Sequence, residues 1–465
     1  MRRTKIIATV GPATDDPEVL ASVLAAGVDV VRLNAAHSGP EALATRLAAV
    51  RAAEERIGRH VGVLVDLPGP KIRVGDVREG TLLVAGQAFT LAGEVCLGDE
   101  HRACVTYAGL AADVGAGDRL LLDDGRIELV VTGVEGGEVS TRVELGGPLL
   151  SNKGVNAPGV TLGVDSITVY DREIIAWTQT VDIDFVGLSF VRSAADVEEL
   201  RELMTERPIT IVAKIEKHEA VADLAAIVAA SDALMVARGD LGVETSPEAV
   251  PVIQRRIIAA ARAAGKPVVV ATQMLDSMTT SPRPTRAEAS DVANAIFDRA
   301  DAVMLSGETA AGQYPLEAVQ TMARIATAAE DVVLGGTLDH RDCATNDIQM
   351  AVSAAVCDLA ADLGLAAIVP VTESGATARA VARHRPDAPI VAVTTSRAVA
   401  RGLGIVWGVR ALVVPIAEDR NVLIEEVVVA LRDAGVVVSG DRVALTAGLA
   451  RNAQGGTDFI LVREV

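Results

Sequence analysis

Eight times between Lys5 and Glu330, a short run of Val, Ile, Leu and Ala gives way to a segment long enough for a helix. Few folds accommodate that alternation. The runs are 5–10, 29–34, 61–66, 185–191, 210–216, 233–237, 267–272 and 302–305. They are apolar without strict alternation, as strands buried on both faces are. Eight parallel βα units of this length predict a TIM barrel, with an open doubly wound sheet as the alternative. The alternation breaks once, after the third strand. Residues 70–158 are rich in Gly, Val and Thr and carry turn signals every 8–12 residues or so, at Gly115–Asp118, Asp123–Gly125 and Gly136–Gly137 among others. This segment reads as a small all-β insert, a β-barrel lid, with Ser151–Asn156 near its exit hinge. Periodicity is lost again over 331–345, which reads as a linker. Residues 346–465 then form a separate α/β domain. The expected division is therefore a discontinuous barrel, 1–69 and 159–335, with a lid at 70–158 and a C-terminal domain at 346–465.

Composition excludes several function classes. The net charge of −19 argues against nucleic acid and anionic membrane as general partners, and the 2% of aromatic residues leaves few stacking platforms. Any anion must meet a local positive site. Cys96, Cys104, Cys343 and Cys357 form no Cys-x-x-Cys pair and read as small buried hydrophobes of a reducing compartment. Met1–Lys5 leads directly into an apolar strand, and no apolar run reaches the ~18 residues of a membrane span. The expected location is the cytoplasm, with no membrane partner.

The strand ends carry the chemistry. Side chains two apart on a strand share a face. On that rule the second strand presents Arg32 and Asn34, and the third ends with Asp66. The fifth presents Lys214 and Glu216, the sixth Arg238 and Asp240. The seventh ends with Thr272, the eighth with Ser306 and Glu308. All fall at C-terminal strand ends, the catalytic face of a TIM barrel. Any one pair could be a structural ion pair at the rim; six strands together point to a site. Glu216 and Asp240 offer oxygen ligands for Mg²⁺ or Mn²⁺, and no His or Cys joins them to favour zinc. Lys214, Arg32 and Arg73 make a positive cluster suited to a phosphoryl group in transfer. For Lys214 alone, a structural pair with Glu216 or Asp240 is the other reading. The amides around Gly239, which lets a ligand approach the backbone, and the Thr272 hydroxyl suit a carboxylate. The substrate expected is small and carries both phosphate and carboxylate.

The chain resembles pyruvate kinases along nearly its whole length. The matching stretches are Thr4–Ile7 with Gly11–Thr14, Arg32–Asn34, Gly69–Arg73, Asn152–Asn156, Ala213–Glu216, Met235–Glu244, Ala271–Leu275, Pro284–Glu288 and Met304–Ala310. The runs Arg238–Glu244 and Pro284–Glu288 are highly specific to that family. The resemblance implies phosphoryl transfer from phosphoenolpyruvate to ADP, giving pyruvate and ATP. It implies that Lys214 stabilises the transferring group, Glu216 and Asp240 ligate Mg²⁺, and Arg32 contacts phosphate. Thr272, with the Gly239 and Asp240 amides, would hold the carboxylate. Asn34, His37, Arg73 and Lys153 match positions on the nucleotide and phosphate side. Ser306 and Glu308 match a water network that delivers a proton to the enolate. The β insert becomes a lid over the nucleotide, and a homotetramer is the usual assembly. A Mg²⁺-dependent TIM-barrel aldolase or lyase, and a metabolite sensor without catalysis, are the rival readings.

Three departures and one further motif bear on regulation. Many pyruvate kinases hold K⁺ beside the phosphate with an Asn and a Ser on the second strand and an Asp and a Thr after the third. Here Asn34 and Asp66 remain, but Ala36 and Leu67 stand at the other two positions. The loop that usually reads Gly-Pro-Glu-Ile-Arg has Lys71 in place of the glutamate, so an ammonium is available where the ion's charge is missing. The pattern resembles K⁺-independent members. Around Asn34 the family's Arg-x-Asn-Phe-Ser-His-Gly becomes Arg32-Leu33-Asn34-Ala35-Ala36-His37-Ser38. In the C-terminal domain, Thr372, Ser374, Gly375, Ala376 and Thr377 place hydroxyls and a glycine at a helix start, where free amides bind phosphate. Ordinary capping by Ser or Thr is the alternative. By resemblance the ligand is an effector, a sugar monophosphate or AMP.

Overall fold

The structure, a computed structural model, describes residues 2–333, 347–415, 420–448 and 457–465. Most of the expected linker, and Cys343 with it, lies outside the described residues; 331–333 extend the helix Pro315–Val333. The eight apolar runs close into one parallel barrel, which disposes of the open-sheet alternative. Its strands are β1 (Lys5–Val10), β2 (Val30–Asn34), β3 (Gly62–Asp66), β4 (Phe185–Leu188), β5 (Thr210–Ile215), β6 (Ala233–Ala237), β7 (Val268–Ala271) and β8 (Ala302–Leu305). Each pairs in parallel with its neighbours in sequence, and β8 returns to β1 with Lys5 opposite Ala302.

The lack of alternation in the sequence has a direct cause. Ala233 and Met235 point into the barrel, where they meet Ile7, Leu64 and Phe185. Leu234 and Val236 point outward to the layer that the surrounding helices cover. Both faces are dry, so both are apolar. The C-terminal domain contributes Ile405 to the interior cluster. Gly62 is required by this packing: a Cβ there would come within 2.8 Å of the Phe185 ring and 3.0 Å of the Arg401 carbonyl.

The strands stop short where chemistry begins. β4 ends at Leu188 because Phe190 takes φ +54°, and β7 ends at Ala271 because Thr272 and Gln273 take φ +67° and +55°. Such conformations are uncommon outside glycine and concentrate at functional sites. After β6 the chain enters a seven-residue helix, Arg238–Glu244, where the sequence reading placed Arg238 and Asp240 at the strand end. The two-apart rule therefore fails beyond Ala237, and Arg238 and Asp240 do not share a strand face.

In the insert, a six-stranded sheet runs in the order Val155–Asn156, Arg119–Leu122, Ile127–Glu135, Glu138–Leu145, Ala88–Ala92, Arg102–Cys104. The irregular segment from Ile72 to Val77 links its two edges. Arg73 bridges Gly154 on one side, while Val74 bridges Val105 and Val77 bridges Gly98 on the other. The short helix Leu110–Asp113 is the exception to its β character. The C-terminal sheet has the order Val409–Val413, Ile390–Thr394, Ala367–Pro370, Arg442–Ala447, Phe459–Glu464, with the last strand antiparallel. Buried ion pairs join this domain to the barrel: Arg385 to Asp301 at 2.9 Å and Arg401 to Glu54 at 2.9 Å. Among the described residues, no helix is long and apolar enough to cross a membrane.

Candidate active site

At the C-terminal ends of β2, β3 and β5 the barrel mouth gathers a buried charged cluster. Lys214 Nζ lies 3.0 Å from Glu216 Oε1 and 3.2 Å from Asp66 Oδ1, and donates to Ser189 Oγ at 2.7 Å. Arg32 Nε donates to Asp66 Oδ2 at 2.6 Å, and its Nη1 to Thr9 Oγ1 at 3.1 Å. Asp66 is thus the hinge between the two cations. Burial alone would raise the Asp66 carboxyl, but Lys214 and Arg32 together hold it below its usual range. Burial also works against the Lys214 charge, yet Asp66 and Glu216 outweigh it and lift the ammonium above its ordinary value. Lys214 is a fixed cation at neutral pH. The alternative raised for it, a pair with Glu216, exists and coexists with the cluster.

Glu216 and Asp240 suit a metal by donor chemistry. Burial, with Asp240 nearby, pushes Glu216 up to about 7 against the pull of Lys214. Its Oε2 accepts from the strained Phe190 N–H at 2.7 Å, which fixes the carboxylate plane. A carboxylate has about four lone-pair sites, so both oxygens keep capacity. No group of three or more His, Cys, Asp or Glu among the described residues forms a protein-only metal cage. Two carboxylates completed by water and substrate oxygens is how Mg²⁺ is usually held.

Lys71 Nζ lies 3.0 Å from Asp240 Oδ1. Asp66, one of the two remaining positions of the K⁺ pattern, is committed to Arg32 and Lys214. Lys71 reaches Asp240 rather than Asp66.

Thr272 is held from behind. The Arg238 guanidinium donates to its carbonyl at 2.8 Å and pairs with Asp291 at 2.7 Å. Arg238 is a brace, not part of the mouth. The Gly239 N–H, expected to face a carboxylate, instead donates to Thr272 Oγ1 at 2.8 Å, and that hydroxyl donates to the Ala271 carbonyl. A Cβ on Gly239 would meet nothing closer than Thr272 Oγ1 at 3.6 Å. Protein packing does not demand glycine here. At β8, Glu308 accepts from Ser306 N at 2.7 Å and Leu275 N at 3.0 Å, while burial raises its pKa. Ser306 Oγ is buried and has no hydrogen-bond partner.

The residues expected on the nucleotide side are more dispersed. Asn34 Oδ1 accepts from Ala36 N at 3.0 Å and starts the turn Ala35–His37; the His37 side chain lies outside the described residues. Arg73 donates to the Asn152 carbonyl at 2.9 Å, and Lys153 pairs with Asp123 at 2.8 Å. These partners belong to the insert, so the insert carries both cations. The helix start in the C-terminal domain is largely self-capped. Gly375, at φ +80°, donates to Thr372 Oγ1 at 2.9 Å, and Ala376 N to Ser374 Oγ at 3.4 Å. Thr377 Oγ1 lies 2.8 Å from Thr457 Oγ1. Only Ser374 of the three hydroxyl residues is exposed.

Sequence reasoning missed four residues. Ser189 is visible to the strand-end rule applied to β4. Asp291 has no local signal, since its partner Arg238 is 53 residues away. Asn156 Nδ2 donates to Glu244 Oε1 at 2.7 Å, and Lys217 pairs with the same carboxylate at 2.9 Å. This buried junction fastens the insert's exit strand to the helix that carries Asp240.

The family model for the pyruvate kinase barrel domain matches residues 1–319, and that for the pyruvate kinase alpha/beta domain matches 350–463. The pyruvate kinase of Geobacillus stearothermophilus is 45% identical, over 100% of this chain and 80% of its own length. That of Mycobacterium intracellulare is 43% identical, over 100% and 98%. A crystal structure of a pyruvate kinase from Cryptosporidium parvum superposes with a TM-score of 0.92 at 33% identity, covering 100% of this chain and 96% of that one.

Proposed function

The chain belongs to the pyruvate kinase family and transfers a phosphoryl group from phosphoenolpyruvate to ADP, and on that premise we propose how its residues divide the work. The observation that carries the reading is the buried Lys214–Asp66–Arg32 cluster. Asp66 holds two cations at fixed positions with no net change of its own protonation. Lys214 and Arg32 meet the charge of the phosphoryl group as it leaves the enolate oxygen for the terminal oxygen of ADP. Positioned charge of this kind, rather than covalent chemistry, carries such transfers. Glu216 and Asp240 would hold Mg²⁺ or Mn²⁺. When bound, the ion supplies charge neutralisation and orientation for phosphate and carboxylate oxygens.

Thr272 and the space at Gly239 and Asp240 would receive the carboxylate. Its arrival asks the Gly239 N–H to turn from Thr272 Oγ1 to the ligand. The enolate left behind needs one proton. The orphaned Ser306 hydroxyl, oriented by the Glu308 grip on its own N–H, supports a water path to that face. Asn34, His37, Arg73 and Lys153 serve the nucleotide, the last two by riding on the lid. Lys71 supplies the charge that K⁺ gives other members, through Asp240. Ser374, with the turn 372–377, receives the phosphate of a sugar monophosphate or AMP. A homotetramer is the proposed assembly, and the cytoplasm is the working location.

The test is pyruvate formation in a coupled assay with ADP and Mg²⁺. Turnover that persists in excess chelator would refute the metal reading. A panel of sugar monophosphates and AMP should lower the half-saturating phosphoenolpyruvate concentration. An activation that survives Ser374→Asp would move the effector elsewhere.

A further inference from the structure

Opposite the active site, at the N-terminal ends of β5 to β7, a cleft of about 440 Å³ opens between the barrel and the C-terminal domain. Its charged lining is Arg201, Asp232, Lys266 and Arg379; the rest is small or apolar, with no aromatic ring. A smaller pocket continues it past Lys266 and Arg379 and adds Arg262, Arg383, Arg385 and Asp301. The two carboxylates are taken: Asp232 pairs with Arg201 at 3.1 Å and Asp301 with Arg385 at 2.9 Å. Among the described residues, no carboxylate oxygen comes within the 4.0 Å of an ion pair of Arg262, Lys266, Arg379 or Arg383.

The hydrogen-bond partners of Lys266, Arg379 and Arg383 are neutral. Lys266 donates to the Ala229 carbonyl at 2.7 Å and to that of Ser231. Arg379 donates to the Ser374 carbonyl at 2.9 Å, and Arg383 to that of Ala263 at 2.6 Å. Burial lowers the pKa of Arg262, Lys266 and Arg379, and the more distant charges of Asp301 and Asp232 offset that cost only in part. In a chain of net charge −19, such a cation excess is not background.

We propose that this cleft binds a small phosphorylated anion, gripped by Lys266 and Arg379 with Arg201 at the rim. Converging guanidinium and ammonium groups suit the several oxygens and double charge of a phosphate. The volume falls within the ~300–1,000 Å³ of small-molecule sites. The absence of a stacking ring favours a phosphate on a small polar body, or inorganic phosphate, over a nucleotide. The site is separate from the turn 372–377 and does not depend on that turn binding anything. The two are nonetheless linked by one side chain. Arg379 lies under the turn so closely that a Cβ on Gly375 would come within 2.9 Å of its Nη1. An anion that draws on Arg379 therefore alters the hold on Ser374.

The experiment is hydrogen–deuterium exchange of the full chain titrated with inorganic phosphate, against chloride at equal ionic strength. Exchange is local, so it separates the cleft from the turn and from the barrel mouth. Phosphate should slow segments 262–267 and 379–385 saturably in the parent chain and equally in Ser374→Ala, which adds no charge beside Arg379. Lys266→Gln with Arg379→Gln should weaken that response tenfold or more. Because Lys266 also ties two carbonyls, Arg201→Gln provides a second reading; it removes only a half-exposed pair and should weaken the response about threefold. No slowing in the parent chain overturns the proposal. Equal affinity in the parent, the double variant and Arg201→Gln overturns it too. Loss of the response in Ser374→Ala, with the cleft cations intact, assigns the phosphate to the turn instead.

Discussion

Replacing Lys214 with Met separates two roles that one ammonium fills. Its Nζ stands 3.0 Å from Glu216 and 3.2 Å from Asp66, whose side chains are 1% and 2% exposed. The substitution leaves these carboxylates facing each other, with Arg32 on Asp66 alone. Removing one partner of a buried pair costs about 3–5 kcal/mol. For a domain of this size that lowers Tm by roughly 6–20 °C. Activity is lost on a separate scale, about 10²–10³ in kcat, as for one missing electrostatic stabiliser. Adding Glu216→Gln to Lys214→Met neutralises one of the stranded carboxylates and should recover much of the Tm. It should recover no turnover. Thermal unfolding is measured in chelator, so that metal binding does not mask the ion pair, and kcat at saturating phosphoenolpyruvate, ADP and Mg²⁺. Near parental turnover in folded Lys214→Met would refute the mechanism. An unchanged Tm would refute the claim that the cluster is buried and tightly coupled.

Other expectations follow from neighbouring contacts. In buffers with a bulky organic cation in place of K⁺ and NH₄⁺, the parent should keep its turnover, and Lys71→Met should be severely impaired with no rescue by K⁺; a tenfold rise of parental kcat on adding K⁺ contradicts this. Asn156→Ala removes the 2.7 Å bond to Glu244 and should raise KM for ADP more than for phosphoenolpyruvate while speeding exchange in the insert; equal changes in both KM values would count against a lid role. Asp184 is lifted from 3.8 to about 6, chiefly by burial against the opposing charge of Arg51. Its native form therefore binds a proton more tightly than the unfolded chain, and its contribution favours folding at low pH and fades as pH rises through about 6. The shift corresponds to ~3 kcal/mol, so the Tm of Asp184→Asn relative to the parent should improve between pH 4 and 7; a constant difference would show that the group is not shifted.

Much of this architecture was legible because parallel barrel strands are buried on both faces. Runs such as Ala233–Ala237 and Ala302–Leu305 have the bounds their composition suggests. The strand ends at Lys214, Glu216 and Thr272 were legible for a related reason: charge and hydroxyl have no place in a dry core. Where reading failed, distance in sequence was the cause. Arg32, Asp66 and Lys214 are individually visible, yet nothing local says that Asp66 joins the other two, 34 and 148 residues away. Asp66 was read as a surviving K⁺ position, whereas the fold uses both of its oxygens to fix cations.

The helix Arg238–Glu244 is the clearest case of tertiary override. Two glycines in seven residues disfavour a helix by about 1 kcal/mol each, and the local reading carried the strand face on to Asp240. The helix forms because every charged side chain in it is held from outside: Arg238 by Asp291 and the Thr272 carbonyl, Asp240 by Lys71, Glu244 by Asn156 and Lys217. Two of those partners belong to the connections into and out of the insert. Lys71 stands on the irregular entering segment and Asn156 on the leaving strand. A movement of the insert therefore pulls on both ends of the element that positions Asp240. Conversely, a ligand that redirects Asp240 away from Lys71 releases one of the two ties that hold the insert. With the insert as lid and Asp240 as metal ligand, the roles proposed above, these two ties would couple lid position to metal-ligand geometry.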